Sequence, residues 1–199
     1  MAPSGGVGKW TVAAVVAGLL QLLVSGSGEG ARAGYGKAFY AEFDVASVGA
    51  KQALRKVRVY ATPQLVRLER EAGDAVLIYD VRSDRTTVLF PLRREYTEVP
   101  GPSEVGPFLP VSSADACPVK GPGMARCRKV GAEKVAGRPA VKWEVGEGPL
   151  VQRLWVDREL RVVLRRQVRG VDTVLARRVR VGPQPAGLFE VPRGYRKTG

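Results

Sequence analysis

The sequence contains no histidine and only two cysteines among its 199 residues. The absence of histidine excludes Ser-His-Asp and Cys-His catalysis and any zinc site that needs a histidine ligand. Two cysteines are too few for a four-thiolate metal site. The glycines are scattered and form no phosphate-binding motif, and the acidic residues form no paired acid and base. We therefore expect a protein that is not an enzyme and that uses no cofactor.

Acidic residues are scarce relative to basic ones. Lys and Arg number 32 against 19 Asp and Glu, which gives a formal net charge of +13. Such a chain favours anionic partners such as nucleic acid, anionic lipid headgroups or acidic polymers. The hydrophobic content of 45% is that of a folded protein, and the length suits one domain.

The first 33 residues are typical of a secretory signal peptide. Lys9 gives a positive start, and the uncharged, mostly apolar run 10–24 follows it. As a helix this run would span roughly 22 Å, which is short of the roughly 30 Å hydrocarbon core of a membrane. Ala31-Arg32-Ala33 fits the small-x-small cleavage rule. We expect cleavage after Ala33 and an exported, soluble chain 34–199 without a membrane span, which argues against nucleic acid as a partner.

The rest of the chain consists of short alternating runs separated by turn residues, which is typical of an all-β protein. No helical crossover pattern lies between these runs, so the strands are expected to be antiparallel and to form a sandwich or barrel. The segment 62–73 fits two structures. Pro63 and Gly73 would frame a helix, whereas the alternation of Val66, Leu68 and Arg70 fits a strand equally well.

Residues 100–122 have a different texture, because prolines interrupt any regular strand pairing. We expect a long loop that connects two β meanders and contains one helical turn near residues 112–116. Loops of this length are often functional, for example as covers over a binding site, and the alternative is a connector without such a role. The prolines are Pro100, Pro102, Pro107, Pro110 and Pro118.

The two cysteines, Cys117 and Cys127, flank a segment rich in proline and glycine. In an exported protein, cysteines this close in sequence typically form a disulfide bond. The bond would close a small loop and contribute roughly 3 kcal/mol in the chain-entropy model. The sequence has no Cys-x-x-Cys motif, which argues against a redox role.

Several short motifs resemble, in the same order along the chain, those of LolA-like proteins, the exported bacterial superfamily of outer-membrane lipoprotein sorting. The second half of the chain is similar to a small branch of that superfamily with no assigned function. Each motif is short, and together they span nearly all of the mature chain. They are Val66-Arg67-Leu68-Glu69, Ile78-Tyr79-Asp80, Leu89-Phe90-Pro91, Tyr96-Thr97-Glu98-Val99, residues 127–138, Trp155-Val156-Asp157 and residues 188–195.

The resemblance implies a single all-β domain over residues 34–199, built as a curved antiparallel sheet that forms a half-open barrel. It favours a strand within 62–73 and a periplasmic location. In the lipoprotein carriers of this superfamily, helices cover the concave face and acyl chains lie beneath them. This sequence has few or no long helices in the mature chain, so only the 100–122 loop could cover that face. No functional residue is carried over from the carriers.

We therefore expect a periplasmic, non-enzymatic protein that binds a lipid, an acyl chain or a lipoprotein on the concave apolar face. Each buried CH₂ group contributes roughly 0.8 kcal/mol to such binding. The alternative is that the same side chains simply fill a closed barrel. The candidate lining residues are Phe39, Phe43, Val57, Val59, Leu77, Leu89 and Trp143.

A different function is also compatible with the sequence, that of an envelope protein with a structural or interaction role. It would bind a protein partner or an anionic polymer through a basic C-terminal hairpin. If two arginine pairs faced each other across the turn at Gly170, an anion between them would relieve their repulsion. The alternative is that they point to opposite faces. The candidate residues are Arg165, Arg166, Arg177 and Arg178.

Overall fold

The structure is a computed structural model that describes residues 34–46, 54–118 and 126–199. The expected signal peptide lies outside the described residues, so its cleavage stays a prediction. Twelve strands form in the described part of the chain. They are β1 (Phe39–Ala46), β2 (Leu54–Ala61), β3 (Leu65–Arg70), β4 (Val76–Asp80), β5 (Arg85–Phe90), β6 (Glu95–Pro100), β7 (Cys127–Val135), β8 (Arg138–Val145), β9 (Gln152–Asp157), β10 (Val163–Val168), β11 (Val171–Val181) and β12 (Arg196–Lys197).

All twelve strands belong to one curved, open sheet in the order β12-β6-β5-β4-β3-β2-β1-β11-β10-β9-β8-β7. Every neighbouring pair is antiparallel except β12 and β6, which are parallel. The expected curved antiparallel sheet is confirmed. The only helices in the described residues are short 3₁₀ turns, at Pro91–Arg93, Ser103–Phe108, Gly148–Leu150 and Ala186–Phe189.

The ambiguous segment 62–73 forms strand β3, as the resemblance implied. Val66 and Leu68 alternate onto one face, where both are buried, and β3 pairs with β2 and β4. The Thr62 hydroxyl accepts a hydrogen bond from the Leu65 amide (3.0 Å) and so holds a turn before the strand, not a helix. Burial on a sheet face thus decides what local signals left open.

The helical turn expected near residues 112–116 is not there. A 3₁₀ turn forms instead at Ser103–Phe108, directly after Pro102. In a 3₁₀ turn, residues three apart lie on the same side, and here Val105 and Phe108 both point inward and are buried. The position of the turn is therefore set by the two apolar side chains that it buries.

Cross-strand partners share a face of the sheet, which separates two faces. We call the face that carries Phe39 and Phe43 the inner face and the opposite one the outer face. Residues 101–118, the cover segment, pack on the inner face, which contains the main hydrophobic core. The chain after β11 crosses the outer face, where Phe189 and Tyr195 pack against Val76, Ile78 and Leu89.

Candidate functional site

Six of the seven predicted lining residues lie on the inner face and are buried there. On β1 and β2, Phe43 pairs with Val57, and Phe39 and Val59 occupy the same face. Leu77 joins them through its pairing with Leu68. A continuous row of cross-strand partners extends this face to Trp143. The row is Val45, Val174, Arg166, Leu154 and Trp143.

The seventh predicted lining residue, Leu89, was placed on the wrong face. Val88, not Leu89, pairs with Leu77 and faces inward. Leu89 pairs with Val76 on the outer face, where Phe189 packs nearby. The strand is covered on both faces and therefore carries apolar residues on both, so alternation gives no signal for choosing between Val88 and Leu89.

The first half of the cover segment fills the centre of the inner face. The rings of Phe108 and Phe43 meet with centroids 4.9 Å apart. The Tyr35 hydroxyl donates a hydrogen bond to the Phe108 carbonyl (2.7 Å), and burial raises the pKa of Tyr35. Val105 and Phe108 are 0% and 2% exposed. The place where an apolar ligand would lie is thus occupied by side chains of the chain itself.

The second half of the cover segment lies over β8 and β9. The Val111 amide donates to the Arg161 carbonyl (2.7 Å), and the Trp143 indole Nε1–H donates to the Ala114 carbonyl (3.1 Å). Val111 and Ala114 form an apolar cluster with Val141, Trp143, Val145, Leu154 and Val156. As expected, Trp143 faces the cover while Lys142 and Glu144 lie on the opposite face of β8.

The cover segment is fastened at both of its ends. At one end the Thr86 hydroxyl donates to the Gly101 carbonyl (2.6 Å), and Arg70 donates to the Glu104 carboxylate (3.2 Å). At the other end the predicted disulfide bond joins Cys117 to Cys127 at the start of β7, which confirms that prediction. Between its ends the segment adds no strand to the sheet and is held mainly by apolar packing.

The four predicted surface arginines do not come together. Arg165 pairs across the hairpin with Leu175, and Arg166 pairs with Val174, so neither is opposite Arg177 or Arg178. Three of them have acidic partners. Arg165 binds Asp172 (2.7 and 3.1 Å), Arg177 binds Asp44 (2.6 Å) and Arg178 lies 3.3 Å from Glu42. The expected repulsion across the hairpin is therefore absent, and a partner-binding role for these residues stays a prediction.

Arg166 differs from the other three because it lies on the inner face. Its Nε donates to the Gln152 side-chain oxygen (3.0 Å), and no ion pair joins it to a carboxylate of the described residues. Burial lowers the pKa of its guanidinium. Residue type gives no reason to separate it from Arg165, because adjacent strand residues of the same type point to opposite faces.

A buried ion pair that sequence reasoning missed shapes the β9–β10 turn. Asp157 is 1% exposed and accepts hydrogen bonds from Arg138 (2.5 and 3.2 Å). It also accepts from the amides of Glu159 (2.9 Å) and Leu160 (2.8 Å). The bond to Asp157 raises the pKa of Arg138. The spacing of Asp157 in its turn was visible in the sequence, but its partner on the next strand was not.

Two hollows lie on the outer face near β7 to β10, and neither lies on the inner face. One has a volume of about 360 Å³ and is bordered by Arg153, Gln167 and Arg169. The other has a volume of about 530 Å³ and is bordered by charged side chains that again include Arg153. Residues 34–46, 54–118 and 126–199 contain no acidic or cysteine cluster that could hold a metal ion, and no helix among them is long and apolar enough to cross a membrane.

No protein family and no curated protein matches the sequence. Solved structures do match. An uncharacterized conserved protein from Thermus thermophilus is similar with a TM-score of 0.52 and 14% identity, over 82% of this chain and 90% of that chain. At this identity the likeness concerns the fold alone. The chain has the half-barrel fold that its LolA-like motifs imply.

Two further solved structures are similar at lower TM-scores. One is the MucA/MucB complex of Pseudomonas aeruginosa, with a TM-score of 0.48 and 20% identity over 75% of this chain and 53% of that chain. This chain therefore spans about half the length of that one. The other is a putative outer membrane lipoprotein-sorting protein domain from Vibrio parahaemolyticus, with a TM-score of 0.36 and 10% identity over 77% and 89% of the two chains.

Proposed function

We propose that the protein is an exported, non-enzymatic binding protein whose inner face takes up an acyl chain of a lipid or lipoprotein. The observation that carries this proposal is the way the inner face is closed. A broad apolar surface is covered by a segment that adds no strand to the sheet and is fastened at its two ends. Such a cover can leave without breaking the sheet beneath it.

An acyl chain can replace the contacts that the cover segment makes. The segment presents Val105, Phe108, Leu109 and Val111 to the sheet, all of them apolar. Each CH₂ group of a ligand would regain roughly 0.8 kcal/mol on burial in their place. The bond between Cys117 and Cys127 keeps a displaced cover attached, so it can close again once the ligand leaves.

Trp143 offers a direct report of ligand uptake. Its indole bonds to the Ala114 carbonyl of the cover segment, so displacement of the cover by an acyl chain removes that bond and leaves the ring in hydrocarbon. We expect titration with dodecanoate to shift the tryptophan emission to the blue and to saturate.

Trp155 provides the matched control. It lies on the outer face, away from the cover, with Lys142 and Arg165 against its ring at 5.0 and 4.6 Å. The variant Trp143→Phe should lose most of the shift, whereas Trp155→Phe should keep it. An emission spectrum that does not respond to dodecanoate, or a shift that survives in Trp143→Phe, would contradict the proposal.

A second candidate function is supported by the basic outer surface around the two hollows. Arg128 and Arg153 share the single carboxylate of Glu144 (2.7 and 3.1 Å), and Lys129 and Arg169 add further positive charge. An anionic polymer or an acidic protein surface would complement this region. It becomes the favoured function if Trp143 does not respond to acyl ligands.

A further inference from the structure

We infer that Arg166 forms an anion site on the inner face and that the ligand is an amphiphile whose anionic head group, a carboxylate or a phosphate, is joined to an acyl chain. This inference rests on the proposed function, because it specifies the head group of the ligand that the inner face would take. The position, the missing partner and the surroundings of Arg166 support it in turn.

Arg166 lies where the two parts of the inner-face core meet. Its cross-strand partner on β9 is Leu154, which belongs to the cluster around Trp143. Its partner on β11 is Val174, which belongs to the cluster around Phe43. A head group bound at Arg166 would thus place its tail next to the apolar surface that the cover segment occupies.

The guanidinium of Arg166 is held in place but is not neutralised. Gln152 accepts the hydrogen bond from Nε and fixes the direction of the side chain without supplying charge. The terminal amino groups Nη1 and Nη2 have no partner among the described residues. The adjacent Arg165, on the outer face, donates to both oxygens of Asp172. The free edge of Arg166 has the geometry that binds two oxygens of a carboxylate or a phosphate.

The surroundings make an anion favourable at this position. A partly buried charge without a partner carries a desolvation cost, and the lowered pKa of Arg166 reflects that burial. An anionic head group would offset this cost, whereas an uncharged head group would not. The acyl chain alone can therefore bind the apolar face, but the head group adds selectivity for anionic amphiphiles.

The test compares Arg166→Gln with Arg165→Gln, two neutralising changes at adjacent residues that point to opposite faces. Calorimetric titrations with dodecanoate, dodecyl phosphate, dodecan-1-ol and inorganic phosphate separate the head group from the tail. For Arg166→Gln we expect binding of dodecanoate and dodecyl phosphate to weaken about tenfold to a hundredfold, with dodecan-1-ol unchanged. Arg165→Gln should bind all of the amphiphiles like the unmodified protein. Inorganic phosphate should bind far more weakly than dodecyl phosphate.

The outcomes distinguish this inference from the proposed function. If dodecanoate and dodecan-1-ol bind equally and Arg166→Gln changes neither, the inner face takes acyl chains and the anion site is wrong. If Arg166→Gln weakens dodecan-1-ol as much as dodecanoate, its role is structural and the inference is overturned. Inorganic phosphate that binds as tightly as dodecyl phosphate would indicate a plain anion site without a tail. If the unmodified protein binds none of the amphiphiles, the proposed function fails and the inference fails with it.

Discussion

Replacing Phe108 with alanine is expected to lower the free energy of unfolding by about 3–5 kcal/mol, the usual range for a buried phenylalanine in a packed core. Phe108 is 2% exposed, and its ring packs against Phe43 at the centre of the inner face. The same change should strengthen the binding of dodecanoate. Because the closed cover competes with the ligand, whatever destabilises the closed state raises the apparent affinity.

Phe189→Ala is the matched control, since it removes the same side chain from the segment that crosses the outer face. Phe189 is only partly buried there and does not touch the inner face. Its loss should cost less stability and leave the affinity for dodecanoate unchanged. Chemical denaturation and calorimetric titration measure the two quantities. Weaker binding by Phe108→Ala would indicate that Phe108 supports the site, and the cover would then not be a competitor of the ligand.

Asp157→Ala is expected to destabilise the protein by about 3–5 kcal/mol, because it leaves a buried guanidinium and two amides without their acceptor. Asp157 is 1% exposed, and it binds Arg138 together with the amides of Glu159 and Leu160. Asp157→Asn keeps one acceptor oxygen for the amides and loses the charge, so its effect should be intermediate. Denaturant titration gives the three values.

Glu159 provides the comparison for this ion pair, because it also binds Arg138 (2.7 Å) but lies at the surface. Salt bridges with Lys37 and Arg138 lower the pKa of Glu159, yet solvent screens an exposed pair. Glu159→Ala should therefore change stability little. If Asp157→Ala and Glu159→Ala had the same small effect, burial would not be what makes the Arg138–Asp157 pair important.

The sequence predicted the sheet well because burial on one face imposes a period of two residues. Phe39 and Phe43 on β1, and Trp143 between Lys142 and Glu144 on β8, followed that period and were placed on the correct faces. The rule failed at Leu89, whose strand is covered on both faces and has apolar side chains on both. It also failed at the helical turn, where packing of Val105 and Phe108 against the sheet sets the position.

The contacts that define the candidate site depend on pairs that are far apart in sequence. Nothing local indicates that Trp143 bonds to Ala114, that Tyr35 bonds to Phe108 or that Arg138 meets Asp157. The opposite environments of Arg165 and Arg166 depend on the register between β10 and its neighbours, which adjacent residues cannot reveal. Only the disulfide bond, with its short spacing, was predicted correctly from the sequence itself.

Hydrogen exchange measured with and without dodecanoate tests most directly whether the cover segment gives up its place to a ligand. The amides of Leu109 and Val111 are hydrogen-bonded while the cover is closed, Val111 to the Arg161 carbonyl. We expect both to exchange faster when dodecanoate is bound, because the cover has left the inner face. The amides of Leu188 and Tyr195, in the segment on the outer face, should not change. Slower or unchanged exchange at Leu109 and Val111 in the saturated complex would contradict a displaceable cover.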